Sequence, residues 1–236
     1  MSAAPEVTDA EVQQRAASLL VAQNKALQLF DEIAADLLRP GVSEKELSKQ
    51  IFELGERRHG IKTHWHKRVV RSGPHTLHPY SENTPDRVLE ADEILFVDLG
   101  PVFEEWEADF GRTYVIGDDP VKKKLRDALE PMWRDVKAEF DADPDMTGHK
   151  LFAAARRAAE RAGWEYGGPH AGHLIGNFPH ERIPNDKKTL YITEGNHEPM
   201  RSLGKDGKPR HWILEIHLVD RERQIGGFFE QLLTVD

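Results

Sequence analysis

Apolar residues recur at helical spacing near the start of the chain and predict a helical segment over about residues 8–60. Thr8 and Glu11 have the spacing of a capping box ahead of the first apolar run, and Pro40-Gly41 ends that run. Ser43 is placed to cap a second, shorter helix. The predicted apolar face of the first helix comprises Leu20, Leu27, Phe30, Ile33 and Leu37.

A second pair of helices is predicted further along the chain. One occupies about residues 118–140, and the other begins at Thr147 and ends at Gly163. Between the two pairs, residues 64–71 have the alternation of a strand. After the second pair, residues 194–210 form a polar insertion. Two interpretations of the insertion stay open: a mobile, solvated loop, or a loop over the site mouth that binds a substrate carboxylate. The basic residues available for the second are Arg201, Lys205, Lys208 and Arg210.

Acidic residues stand inside two otherwise apolar hairpin patterns. The first hairpin covers about residues 93–116 and contains Asp98 and Asp109; the second, close to the last residue, contains Glu215 and Glu230. A tight turn in each hairpin would place each acid directly opposite its partner. Like charges opposed in this way are destabilising, and burial among apolar neighbours adds to the cost. A cation between the carboxylates would remove it, so the hairpins predict a metal site.

The order of elements is helix, helix, strand and hairpin, followed by helix, helix, loop and hairpin. This repetition predicts an α+β fold of two similar halves, with the hairpins meeting at a pseudo-twofold axis. No linker-like tract divides the sequence, so we expect a single domain over residues 1–236.

Composition narrows the chemistry. The chain has 236 residues and no cysteine, so its metal ligands must be oxygen or nitrogen atoms. A net charge of −9 argues against a nucleic-acid partner. The sequence contains neither an apolar run of about 18 residues nor a signal peptide, from which we expect no membrane association and a cytoplasmic location.

Histidines are the second chemical signal. His170, His173 and His180 share a glycine-rich segment between the hairpins, and imidazole both binds metals and transfers protons near neutral pH. His217 follows Glu215 by two residues and shares its face of the strand, where it either enters the site or packs against a neighbour.

The remaining histidines divide by their surroundings. His75 and His78 precede the first hairpin, and either could reach the site. His64 and His66 alternate on the predicted strand, but we interpret them as structural because no carboxylate is near them in the sequence.

Four segments together resemble the pita-bread metallopeptidases, a family that includes aminopeptidase P, prolidase, methionine aminopeptidase and the non-peptidase creatinase. They are Val97-Asp98-Leu99-Gly100, Asp109-Phe110-Gly111-Arg112-Thr113, the stretch from His170 to Glu181, and the stretch from Ser72 to His78. The last resembles the aminopeptidase P–prolidase branch, whose separate N-terminal domain we expect to be absent here. The resemblance implies the pita-bread fold.

The resemblance also implies a dinuclear site with two divalent ions, such as Mn, Co, Zn or Fe. Asp98 would bind one ion, and Asp109 and Glu230 would bridge both. His173 and Glu215 would complete the coordination of the other ion. A metal-bridging water is the implied nucleophile.

Catalytic roles follow from the same resemblance. Glu215 would accept the proton of the water, His180 would stabilise the tetrahedral intermediate, and His78 would contact the scissile amide. His78, His170 and His180 would therefore be the substrate-binding histidines.

Five positions depart from the family pattern. Ile216-His217 replaces Pro-Gly after the first glutamate, and Phe228 stands where an arginine is usual. Gln231 replaces an acidic residue, and Leu174 replaces a glycine.

These features predict a metal-dependent aminopeptidase or dipeptidase of Xaa-Pro type that acts on a small peptide. Its oligomeric state, monomer or homodimer, stays open. Two alternatives stay open: a creatinase-like hydrolase or lyase for a small non-peptide molecule, and a binding module without catalysis.

Overall fold

The computed structural model describes residues 8–180 and 188–235. Within these ranges the chain forms four α-helices, a short 3₁₀ helix and nine β-strands. The α-helices are α1 (Asp9–Asp36), α2 (Glu44–His59), α3 (Pro120–Ala142) and α4 (Gly148–Arg161); the 3₁₀ helix is Gly73–Leu77. The strands are β1 (Val69–Ser72), β2 (Glu93–Leu99), β3 (Val102–Phe103), β4 (Trp106–Glu107), β5 (Phe110–Ile116), β6 (Glu165–Tyr166), β7 (Leu174–Ile175), β8 (His211–Asp220) and β9 (Ile225–Leu232).

The main sheet has two matching halves. Its strand order is β1-β2-β5-β9-β8-β6, with β7 also paired to β8. The first three strands come from the first half of the chain and the last three from the second half. The halves join where Gly111 on β5 pairs with Glu230 on β9. This arrangement agrees with the predicted duplication.

Helices cover one face of the sheet. Leu95, Val97 and Leu99 on β2 pack with α1 and α2, while Leu214 and Ile216 on β8 pack with α3 and α4. Alternate residues on the same strands point the other way, because side chains alternate across a strand. That opposite face carries the acidic residues.

The predicted helices are present, and capping begins them as expected. The capping box of Thr8 and Glu11 forms, and Ser43 and Thr147 accept hydrogen bonds from the first turns of α2 and α4. The predicted face of α1 was wrong in part, because Leu27 is exposed. The buried face instead consists of Leu19, Ala22, Ala26, Leu29, Phe30 and Ile33.

The predicted strand over residues 64–71 was also partly wrong, since β1 begins only at Val69. The preceding residues cross the end of β2 instead, and His64 makes an isolated bridge to Pro101. Among the helices of the described ranges, none is both long and apolar enough to cross a membrane.

The registers of the two hairpins had different outcomes. Glu215 lies opposite Glu230, as predicted. The predicted pairing of Asp98 with Asp109 was wrong, because Asp98 pairs with Gly111. The turn is centred between Glu104 and Glu105, one residue later than the predicted pairing requires, and the β3–β4 pairing of Val102 with Glu107 continues the observed register. The register is therefore shifted by two residues. A shift of two keeps Asp98 and Asp109 on the same face.

Candidate metal centre and active site

Three carboxylates lie in one row across the sheet. Asp98 on β2 pairs with Gly111 on β5, Gly111 pairs with Glu230 on β9, and Glu230 pairs with Glu215 on β8. All three acids are at least nine-tenths buried, with 2–8% of their surface exposed. Asp109, two residues before Gly111, adds a fourth buried carboxylate to the same face.

Gly111 provides the space at the centre of this row. A Cβ atom at this position would lie 2.5 Å from the Phe228 ring and 3.2 Å from the Glu230 Cβ. Any side chain would therefore displace Glu230 or the aromatic wall beside it. The glycine leaves the middle of the row open to the carboxylates on either side.

Two histidines flank Asp109 in equivalent ways. His66 Nε2 lies 3.1 Å from Asp109 Oδ1, and His173 Nε2 lies 3.1 Å from Asp109 Oδ2. Each ring places Nδ1 against the carbonyl oxygen of its own following residue, at 2.7 Å for His66 and 2.8 Å for His173. An N–H donated to a carbonyl leaves Nε2 as the lone-pair nitrogen of a neutral ring, which is how protein ligands are oriented towards metals.

The structure brings His66 into the site, so the interpretation of His66 as structural was wrong. Its Nε2 also lies 3.5 Å from Asp98 Oδ1. The cause is the pairing of β1 with β2, which brings the residues before Val69 to the end of the strand that carries Asp98. Gly100 leaves room for this crossing, since a Cβ there would lie 2.2 Å from the His66 ring.

His64 keeps its structural interpretation. It is half-buried, its ring packs near Phe52, and burial followed by the charge of Arg68 lowers its pKa to about 4. Trp65, between the two histidines, makes edge contacts with His66, His173 and His180 and donates its indole N–H to the backbone.

Burial perturbs the carboxylates unequally. It raises the pKa of Asp98 to about 7 and, reinforced by the nearby carboxylates, raises that of Glu230 well above its usual value. Burial would also raise the pKa of Asp109, but His66 and His173 outweigh it and lower that pKa. The pKa of Asp109 and that of Asp98 therefore move in opposite directions although both acids are buried.

The carboxylates and the nearby imidazoles shift each other's pKa values. Burial would lower the pKa of His66, but Asp98 and Asp109 raise it to about 9. His170 Nδ1 is in close contact with Glu215 Oε1, and against the effect of burial His170 lowers the pKa of that carboxyl. His170 thus contacts a predicted metal ligand directly.

The donor set fits divalent metal ions. One oxygen each of Asp98 and Glu230 is buried without a hydrogen-bond partner in the described part of the chain. Two groups, His66–Asp98–Asp109 and Asp109–His173–Glu230, each bring their ligand atoms within 4.8 Å of one another. At metal–ligand distances of about 2.1 Å, neighbouring ligands of an octahedral ion lie about 3.0 Å apart. The 3.1 Å separations around Asp109 agree with that spacing.

His180 is held beside the site by an acid that the sequence did not single out. Its Nδ1 lies 2.7 Å from Glu107 Oε2, and its backbone N–H donates to Glu107 Oε1. The His173 and His180 rings stack with centroids 6.3 Å apart. Glu107 is 1% exposed and two residues before Asp109, and this alternation was the available signal. Glu181, the last residue of the predicted histidine motif, lies outside the described residues.

The two histidines before the first hairpin lie in different surroundings. His78 lines the cavity at the carboxylate row, and its Nδ1 lies 2.5 Å from Glu82. His75 instead contacts Glu44, a buried acid that also accepts hydrogen bonds from Ser72. His75 therefore takes part in the support of β1.

A second row lies beside the carboxylates on the same face. Arg71 on β1 pairs with Phe96 on β2, and Phe228 on β9 pairs with His217 on β8. His217 packs edge-on against Phe96 and Phe228, and its Nε2 lies 2.8 Å from the Thr76 carbonyl oxygen. It also lines the cavity at the carboxylates, so His217 both enters the site and packs against a neighbour. The two rows line one cavity of about 290 Å³.

The carboxylate-binding interpretation of the polar insertion is wrong for Arg201. Its guanidinium donates to the carbonyl oxygens of Phe140 and Asp143 at the end of α3 and stacks on the Phe140 ring. Lys205, Lys208 and Arg210 border a different cavity, next to His180.

Comparisons with known proteins agree with this geometry. The model of metallopeptidase family M24 matches residues 17–202. An Xaa-Pro dipeptidase of Lactobacillus delbrueckii subsp. lactis is 29% identical over 152 residues, covering 64% of this chain and 40% of the relative. An uncharacterized peptidase of Staphylococcus saprophyticus is 30% identical over 167 residues, covering 66% and 45%. The chain thus spans less than half the length of these relatives.

Solved structures share the fold. An X-Pro aminopeptidase from Thermotoga maritima superposes with a TM-score of 0.73 at 22% identity, covering 98% of this chain and 62% of that one. The dipeptidase PepE of Mycobacterium ulcerans gives 0.70 at 28% identity, covering 97% and 59%. A methionine aminopeptidase from Thermotoga maritima gives 0.64 at 15% identity, with 98% of both chains covered. The fold is the predicted α+β pita-bread fold, and the chain belongs to metallopeptidase family M24.

Proposed function

We propose that this protein is a dinuclear metal-dependent peptidase that cleaves short peptides of Xaa-Pro type. The observation that carries the proposal is the row of buried carboxylates, flanked by two imidazoles that both point Nε2 at Asp109. Four buried acids in one cluster cost the fold several kcal/mol where imidazoles do not compensate them, and one oxygen each of Asp98 and Glu230 has no partner in the described part of the chain. Divalent cations held among them would turn that cost into binding energy.

Each ligand has a position in this proposal. Asp109 and Glu230 lie at the centre of the cluster and would contact both ions. Asp98 lies on one side, and His173 and Glu215 lie on the other. The ions, when bound, would polarise the scissile carbonyl and lower the pKa of a water molecule that serves as the nucleophile.

The chain's own groups would handle protons and orientation. Glu215 is held against His170, which keeps the carboxylate ionised and ready to accept a proton. His180 would donate a hydrogen bond to the oxygen on which negative charge develops, with Glu107 fixing its ring. His78, at the cavity wall, would contact the amide nitrogen or the leaving group.

The substrate class rests on the relatives and on the size of the site. Two of the similar proteins carry the names Xaa-Pro dipeptidase and X-Pro aminopeptidase. The cavity of about 290 Å³ is at the small end for a ligand site, which suits a dipeptide better than a long chain.

The direct test is turnover of a peptide panel by protein loaded separately with Mn²⁺, Co²⁺, Zn²⁺ or Fe²⁺. We expect cleavage of Xaa-Pro dipeptides at rates well above those for Xaa-Ala controls. Chelator should abolish cleavage, and re-addition of metal should restore it. Metal-loaded protein that cleaves no peptide would contradict the proposal.

A small-molecule hydrolase or lyase is the second candidate. The observation that favours it is the altered cavity wall, where His217 and Phe228 form a compact aromatic row with Phe96. Turnover of a non-peptide amide or amidine by protein inactive on the peptide panel would identify this alternative.

A further inference from the structure

The geometry points to His66 as a sixth metal ligand, beyond the five that the family resemblance implies. Its ring reproduces the arrangement of His173 on the opposite side of Asp109. Both rings place Nδ1 on the following carbonyl oxygen, and both place Nε2 3.1 Å from one oxygen of Asp109. The two histidines thus present the same donor atom to the same bridging carboxylate.

The surroundings hold His66 in this position. The ring is 8% exposed and packs edge-on against Trp65 and Tyr80, with centroid distances of 4.5 and 5.8 Å. Its second contact, to Asp98, would make it a ligand of the ion that His173 does not reach. Each ion would then have one nitrogen ligand, and softer, nitrogen-preferring ions such as Zn²⁺ or Co²⁺ would gain relative to Mn²⁺.

Metal affinity tests this role without reference to activity. We expect His66→Ala to bind one of two Co²⁺ ions at least tenfold more weakly than the wild type does. Calorimetry and the visible spectrum of the bound Co²⁺ measure this affinity. His64→Ala is the matched control, because His64 belongs to the same segment but points away, towards Phe52. Unchanged affinity and an unchanged spectrum in His66→Ala would overturn the inference. If that variant fails to fold, His66→Gln under the same two readouts decides.

A separate observation concerns Arg71, at the other end of the cavity. Arg71 is 3% exposed, and its Nη2 donates to the carbonyl oxygens of Pro79 and Glu82. Its Nη1 is buried and has no hydrogen-bond partner among the described residues. A buried guanidinium with an unused donor is costly unless a ligand satisfies it.

The position of Arg71 relates it to the carboxylates. It pairs with Phe96, two residues from Asp98, so its side chain lies on the metal-binding face one row away. Rows two residues apart along a strand are separated by about 6.6 Å. A carboxylate one residue beyond the scissile carbonyl, at about 3.5 Å, plus one hydrogen bond of about 2.9 Å spans a comparable distance.

We propose that Arg71 binds the free carboxylate of the substrate and so restricts the enzyme to dipeptides and comparably short acids. This inference rests on the proposed peptidase function. It assigns to Arg71 the role that the sequence had suggested for the polar insertion. In this row β9 contributes Phe228, and the guanidinium comes from β1.

The test compares Xaa-Pro dipeptides with their C-terminal amides, by calorimetric binding to the metal-loaded protein and by KM. We expect the acid to be preferred about 10- to 100-fold, the range of one charge-assisted hydrogen bond. Arg71→Ala should remove the preference, and Arg71→Lys should retain part of it. The matched control is Arg68→Ala, because Arg68 donates to the Ser48 carbonyl oxygen and stacks on Phe52 away from the cavity.

The outcomes separate the two proposals. Binding of the acid without cleavage would contradict the peptidase function and support the role of Arg71. Cleavage of acid and amide with equal KM would support the function and overturn the role of Arg71. If Arg71→Ala does not fold, Arg71→Lys under the same two readouts decides: a reduced preference supports the role of Arg71, and an unchanged preference overturns it.

Discussion

Removing the metal is predicted to reverse the direction in which stability depends on pH. In the metal-free protein, burial raises the pKa of Asp98 from 3.8 to about 7. A carboxyl whose pKa is raised by folding binds more protons in the folded state than in the unfolded state between those values. Stability therefore falls as pH rises through this window. His66 adds to the fall, since its pKa is raised from 6.5 to about 9 and its contribution is lost as pH rises over that range. His64 and His211, whose pKa values are lowered to about 4, oppose the fall below about pH 6.5.

The size of the effect follows from the Asp98 shift. One pKa unit corresponds to about 1.4 kcal/mol, so a shift from 3.8 to about 7 is worth on the order of 4 kcal/mol. For a chain of this size each kcal/mol moves the melting temperature by roughly 2–4 °C. About 3 kcal/mol of this falls between pH 5 and pH 7, so Asp98 should make the chelated protein melt roughly 6–12 °C lower at pH 8 than at pH 5. Metal-loaded protein should show the opposite trend, because ligation requires deprotonated carboxyls and imidazoles.

Thermal unfolding followed by circular dichroism, with saturating chelator or saturating Mn²⁺, measures both trends. Asp98→Asn should flatten the metal-free slope, whereas the exposed control Asp31→Asn should leave it unchanged. A melting temperature of the chelated wild type that is constant or rises between pH 5 and pH 8 would refute the reasoning.

Three further substitutions test separate parts of the site. Asp109→Asn should lose most of the bound metal, because Asp109 belongs to both groups of candidate ligands, whereas His78→Ala should keep it. Elemental analysis measures both, and equal loss of metal in the two variants would contradict the assignment. His180→Ala should retain two ions but lose on the order of 10²-fold in turnover, and metal loss in this variant would make it a ligand instead. Gly111→Ala should lower the free energy of unfolding by about 1–3 kcal/mol, because the added Cβ meets the Phe228 ring, and unchanged denaturant midpoints would argue against the crowding.

Local patterns were sufficient for much of the fold. Capping residues such as Thr8 and Ser43 begin helices where predicted, because their hydrogen bonds are made within one turn. The Glu215–Glu230 register was predictable because a tight turn joins β8 and β9. The register of the first hairpin was not predictable, because its turn lies one residue later than the predicted pairing requires and so places Asp98 opposite Gly111.

The parts of the site that were missed depend on contacts between distant segments. His66 and Arg71 reach the carboxylates only because β1 pairs with β2, and no local pattern specifies that pairing. Glu107 could have been found, because it alternates with Asp109 in an acidic stretch. Arg201 was misassigned because a basic loop residue can equally cap a helix, as it does at the end of α3.

The central claim is that the two hairpins and their flanking histidines hold a pair of divalent ions. Crystals of metal-loaded protein, with diffraction data collected at the absorption edge of the added metal, test it most directly. We predict two anomalous peaks per chain, both beside Asp109 and Glu230, with one also near His173. An absence of peaks at saturating metal, or peaks confined to the protein surface, would contradict the account.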